Sequence, residues 1–112
     1  MDYADKILKV NTDTHRLEME VEGHIAFIDY KLTDERLFLI HTEVPRELEG
    51  RGVARAIVEK AFQFAKDKGY KVVPICPYIQ SYLKKHREWD DIIASDAQDS
   101  FIDTTMLPID NC

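Results

Sequence analysis

The stretch that decides the fold is His41-Thr42-Glu43-Val44-Pro45-Arg46-Glu47-Leu48-Glu49-Gly50-Arg51-Gly52-Val53-Ala54. The apolar run Leu37-Phe38-Leu39-Ile40 feeds into it and Pro45 closes it, which predicts a strand ending at Val44. From Val53 onward the apolar positions are 53, 54, 57, 58, 61, 62 and 65, a stripe with helical spacing. Lys66 and Lys68 suit the negative end of that helix, and Gly69 supplies a left-handed terminator. Gly50 and Gly52 occupy the turn between strand and helix. Glycine lets the backbone turn tightly and approach a ligand without a Cβ in the way. The first amides of the helix have no internal acceptors and point outward at the positive end of its dipole. The stretch is therefore an anion site, in which each charge-assisted hydrogen bond is worth roughly 1.5–3 kcal/mol.

Working outward, residues 6–10 read as a short strand, and residues 15–22 alternate polar and apolar. Gly23 interrupts, residues 25–32 form the next strand, and Thr33-Asp34-Glu35 turns into the strand already described. Such short connections favour an antiparallel meander. After Gly69, residues 71–76 form a short apolar strand. A strand, helix and strand at this spacing make a right-handed crossover with the two strands parallel. Pro77 opens a second helix, on which Ile79, Tyr82, Leu83 and His86 share a face. The predicted fold is α/β: antiparallel N-terminal strands on a mixed sheet, then the crossover and a C-terminal helix. It occupies residues 1–94, with an acidic, weakly ordered tail at 95–112.

The chain has 112 residues, enough for one core. It carries 15 basic and 21 acidic residues, a net charge of −6. That argues against nucleic acid, which calls for a basic face, and leaves room for a cationic partner such as an amine. The two cysteines, Cys76 and Cys112, do not suggest a disulfide framework, and no Cys/His spacing suggests a metal site. No apolar run approaches the roughly 18 residues needed to span a membrane. Met1-Asp2-Tyr3-Ala4-Asp5-Lys6 lacks the features of a signal peptide, which predicts a cytoplasmic chain.

Two familiar phosphate loops are excluded. A P-loop needs Lys-Ser/Thr after its last glycine, and Val53-Ala54 stand there. A dinucleotide fingerprint needs a third small residue where Arg55 stands, and an acidic residue where the next strand ends in Cys76. The pattern Val44-Pro45-x-x-Leu48-x-Gly50-Arg51-Gly52-Val53-Ala54 instead resembles the pyrophosphate loop of the GNAT acetyltransferase superfamily. With His41-Thr42-x-Val44-Pro45, Pro74-x-Cys76-x-Tyr78, Tyr82 and His86-x-x-Trp89, the chain is similar to its very small YjdJ-type members. The resemblance covers about residues 15–93. Glu47 departs from it, since larger members carry Gln or Arg there. The chain also lacks room for the helices that larger members place after the first strand, so its substrate groove must be open or differently made.

The resemblance implies transfer of an acetyl group from acetyl-coenzyme A to a primary amine: a lysine, an N-terminus or a small molecule. It places the coenzyme against Val44, Glu49, Gly50, Arg51, Gly52, Val53, Ala54 and Tyr82. It also implies that the strands on either side of the helix splay, with His41 and Cys76 both facing the thioester. Cys76 precedes Pro77 at a helix N-terminus, which lowers a thiol pKa. Two routes follow: His41-assisted direct attack, or an acetyl-Cys76 intermediate with His41 as base. Against these stand a Cys76 that merely fills the core and a structural His41. Tyr82 lies where the family has a proton donor to the departing thiolate, but its register is about one residue off, which favours core packing. The alternative function is a non-catalytic module that binds coenzyme A or its acetyl ester and regulates a partner. Such a module needs the glycine loop but neither His41 nor Cys76.

Overall fold

The computed structural model describes Tyr3 and residues 5–94; the tail from Ser95 lies outside the described residues. Five strands form one sheet in chain order: β1 (Lys9–Asn11), β2 (Arg16–Val21), β3 (His24–Thr33), β4 (Arg36–Glu43) and β5 (Lys71–Pro74). The first four run as an antiparallel meander, and β5 joins β4 in parallel. Two-residue turns at Glu22-Gly23 and Asp34-Glu35 make the tight hairpins, all four residues having positive φ. Turns of this hand match the twist of the strands they join.

Helix α1 (Val53–Lys68) is the crossover from β4 to β5 and covers one face of the sheet. Its buried stripe is Val53, Ile57, Val58, Ala61, Phe62 and Ala65, close to the predicted set, with Ala54 only partly covered. These residues meet Leu17 and Met19 of β2, Ala26 and Ile28 of β3, Leu37 and Leu39 of β4, and Val72 of β5 in one cluster. Gly69 ends the helix at φ 76°, and the Tyr70 amide donates to Ala65 O at 2.9 Å, closing a Schellman turn.

Helix α2 (Pro77–Lys85) buries Ile79, Tyr82 and Leu83 on the same side as α1. A 3-10 segment, Arg87–Ile92, then leads Ile93 into a parallel bridge with Val72 at the outer edge of β5. Among the described residues no helix packs on the opposite face of the sheet. That face carries Phe27, Asp29, Phe38 and His41.

Candidate active site

Two features of the sheet prepare the site. The β4–β5 ladder stops at Leu39–Pro74. Beyond it the amides of Ile75 and Cys76 both donate to Leu39 O, at 3.0 Å each, and β5 turns away into α2. β4 continues to Glu43 with only β3 as ladder partner among the described residues. The two strands therefore splay, as the resemblance implied. The second feature is a β-bulge. Tyr30 pairs with Leu39 and Asp29 with His41, so Ile40 is an extra residue in β4.

The bulge inverts the alternation of side chains. Leu37 and Leu39 face α1, and strict alternation would send His41 the same way. With Ile40 inserted, His41 lies opposite Asp29 on the open face, and Thr42, opposite buried Ile28, takes the covered face. Cys76 is 0% exposed, with its Sγ 3.4 Å from Thr42 Oγ1. His41, its side chain 30% exposed, places Nε2 3.0 Å from Glu43 Oε1. The two residues expected to face one thioester thus turn to opposite sides of β4.

The glycine loop begins with a 3-10 turn, Arg46–Leu48, held by Leu48 N to Pro45 O at 2.9 Å and anchored by buried Leu48. The amide of Glu49 is engaged by Arg46 O at 3.1 Å, leaving the positive-φ residues Gly50 and Gly52 to shape the rest. Gly52 is the N-cap of α1. It has no side chain to cap the helix, and the first turn holds no acidic residue. The leading amides of a 16-residue helix are therefore left for an external anion. The Val53 side chain is in the core, so only its backbone is offered to the loop.

Neighbours brace this loop. Tyr3 Oη donates to Arg51 O at 2.9 Å. The Arg51 guanidinium makes a two-pronged pair with Glu22 at the tip of the β2–β3 hairpin, one prong being 3.1 Å. That hydrogen bond and charge hold the Glu22 carboxyl below its ordinary range. Glu47, the departure from the family pattern, points to the same hairpin, 3.8 Å from His24 Nδ1. Its charge is thereby drawn toward the hairpin.

A cleft of about 870 Å³ opens beside the loop and follows the outer face of α1, lined by Gly50, Arg51, Gly52, Ala56, Lys60 and Trp89 among others. Arg55 and Glu59, which also line it, pair at 3.1 Å. Tyr82 Oη donates to the same Glu59 oxygen at 2.7 Å. Burial raises the Tyr82 pKa above the ordinary phenol value, and the bond to Glu59 adds to the rise. Tyr82 packs edge-on against Phe62 and stacks on His86 at 4.2 Å, and it does not line the cleft. Sequence reasoning gave Arg55, Lys60, Trp89, Glu22 and Glu43 no place at the site, although Trp89 belonged to the resemblance. Spacing of four residues from Gly52 would have found Ala56 and Lys60; the Glu22 contact joins residues 29 apart and left no local signal.

Residues 16–92 match the family model described as GCN5-related N-acetyl-transferase. Human N-acetyltransferase 8B is 41% identical over 51 residues, which are 46% of this chain and 22% of that protein. Chicken Protein NATD1 is 36% identical over 62 residues, 54% of this chain and 56% of that one. The chain thus matches at most about half the length of these relatives. A solution structure of a GCN5-like protein from Staphylococcus aureus superposes with a TM-score of 0.59 at 22% identity, covering 78% of this chain and 88% of that one, a likeness of fold.

Proposed function

Because this chain belongs to the GCN5-related N-acetyltransferase family, we propose that it transfers an acetyl group from acetyl-coenzyme A to a primary amine. One observation carries the reading: the splay of β4 from β5 leads directly into a glycine loop and an uncapped helix N-terminus. The loop amides and the leading amides of α1 would take the pyrophosphate, and the gap beyond Leu39 would take the pantetheine arm. The 870 Å³ cleft gives the rest of the coenzyme room.

For the chemistry we favour direct attack. His41, oriented by Glu43, takes the proton from the ammonium. The amine nitrogen then attacks the thioester carbonyl, the C–S bond breaks, coenzyme A departs as thiolate, and the second proton shed by the nitrogen passes to that thiolate or to solvent. Burial of Cys76 on the far side of β4, against Thr42, makes it a wall of the site in this reading. The open sheet face leaves the acceptor side uncovered, which suits an acceptor as large as a protein lysine or N-terminus.

The test is titration calorimetry with acetyl-coenzyme A, followed by coupled detection of released thiol in the presence of amine acceptors. Binding with amine-dependent thiol release supports the enzyme. Binding without release by any acceptor would favour a regulatory module, and no binding would remove the reading.

A further inference from the structure

The cleft extends well past the loop amides. Gly52, Ala56 and Lys60 follow one another at four-residue spacing, so they form one ridge along α1. The first two lack bulk, and the ridge ends in a cation about 12 Å along the axis from its start, at ~1.5 Å per residue. A lysine on a helix tilts back toward the N-terminus, and so toward the loop. Trp89 lines the same cleft, and its 5.4 Å contact with Phe62 sets it level with the turn that carries Lys60.

The charges in the cleft are unevenly matched. Arg51 is paired with Glu22 and Arg55 with Glu59. For Lys60 there is no carboxylate within 4 Å among the described residues. An unmatched cation and an indole lining one cleft, a nucleotide's length from the proposed pyrophosphate site, are a specific combination. We infer that this part of the cleft holds the 3′-phosphorylated adenosine of coenzyme A, with Lys60 meeting the 3′-phosphate and Trp89 stacking on the adenine. This rests on the function proposed above and gives the nucleotide end its own recognition site. It follows that the protein distinguishes coenzyme A from its 3′-dephospho form.

The experiment titrates the chain and its Lys60→Ala variant with coenzyme A and with 3′-dephospho-coenzyme A. These differ only in the phosphate assigned to Lys60. The wild type is expected to prefer coenzyme A about tenfold, as one charge-assisted contact predicts, and Lys60→Ala to bind both equally. Trp89 is the chain's only tryptophan, so fluorescence reports its contact alone. Adenosine 3′,5′-bisphosphate is expected to quench it, and pantetheine to leave it unchanged. Equal wild-type affinity for the two coenzymes overturns the phosphate assignment while the acetyltransferase reading stands. A preference that survives in Lys60→Ala overturns it as well, and absent quenching overturns the stacking. Failure of both coenzymes to bind overturns the function along with the subsite.

Discussion

At Gly52 the backbone sits at φ 76°, and nothing lies within 4 Å of where a Cβ would be. Gly52→Ala therefore meets no clash in the free protein. Its cost is left-handed strain of about 1–2 kcal/mol, which should lower the melting temperature by several degrees. Acetyl-coenzyme A affinity should fall more than tenfold, because any relief of that strain turns the leading amides of α1 away. Calorimetry that finds affinity unchanged would separate the ligand from those amides. His41→Ala should lower kcat/KM by about 10²–10⁴ if His41 is the base and leave binding of the coenzyme intact. A loss confined to KM would mean that His41 only binds. Tyr82→Phe removes a 2.7 Å bond to Glu59, which keeps its bond from Arg55. The expected cost is ~1 kcal/mol of stability with kcat nearly unchanged. A large fall in kcat would restore Tyr82 as proton donor.

At the scale of elements, the β2–β3 hairpin reaches the glycine loop through Glu22–Arg51 and His24–Glu47. The proposed pyrophosphate would compete with Glu22 for Arg51, so Glu22→Gln is expected to tighten coenzyme binding several-fold. The Glu22 pKa is lowered from 4.5 by Arg51. A carboxyl depressed by folding contributes stability that is present above its unfolded pKa and lost as pH falls through its folded one. The melting difference between wild type and Glu22→Gln should therefore persist at neutral pH and vanish as pH drops below 4.5. A difference that persists at low pH would assign it to packing. The elements themselves were legible in the chain. The 53–65 stripe marked α1, Gly69 its end, and Pro77 the start of α2, since each depends on neighbours in sequence. The bulge at Ile40 was not legible, because it is defined by the register of β4 against β3. Nothing in His-Thr-Glu-Val distinguishes a strand with an extra residue from one without.

At the scale of the molecule, one cluster of buried side chains runs from Tyr3 to Ala94 and ties the sheet, both helices and the Arg87–Ile92 segment together. A single core predicts a single transition. Unfolding followed by Trp89 fluorescence, which reports the far end of that cluster, should coincide with unfolding followed by far-UV circular dichroism. Fluorescence that changes first would show that the segment after α2 melts independently. The same single core leaves one sheet face without a helix among the described residues, which is why the acceptor side of the proposed site is open.

The sequence by itself determined the meander, the crossover and the glycine loop, because periodicity, turn residues and helix ends act over a few residues of chain. From the loop alone it also gave the orphan amides on which the proposed anion site rests, since they follow from a helix start that lacks a capping side chain. Only the tertiary structure decided which face His41 occupies, that Cys76 lies on the other, and that Lys60 and Trp89 line one cleft. Those outcomes depend on strand register and on the packing of α1 beside the segment after α2. Register and packing are set by contacts between distant residues, and no local spacing encodes them.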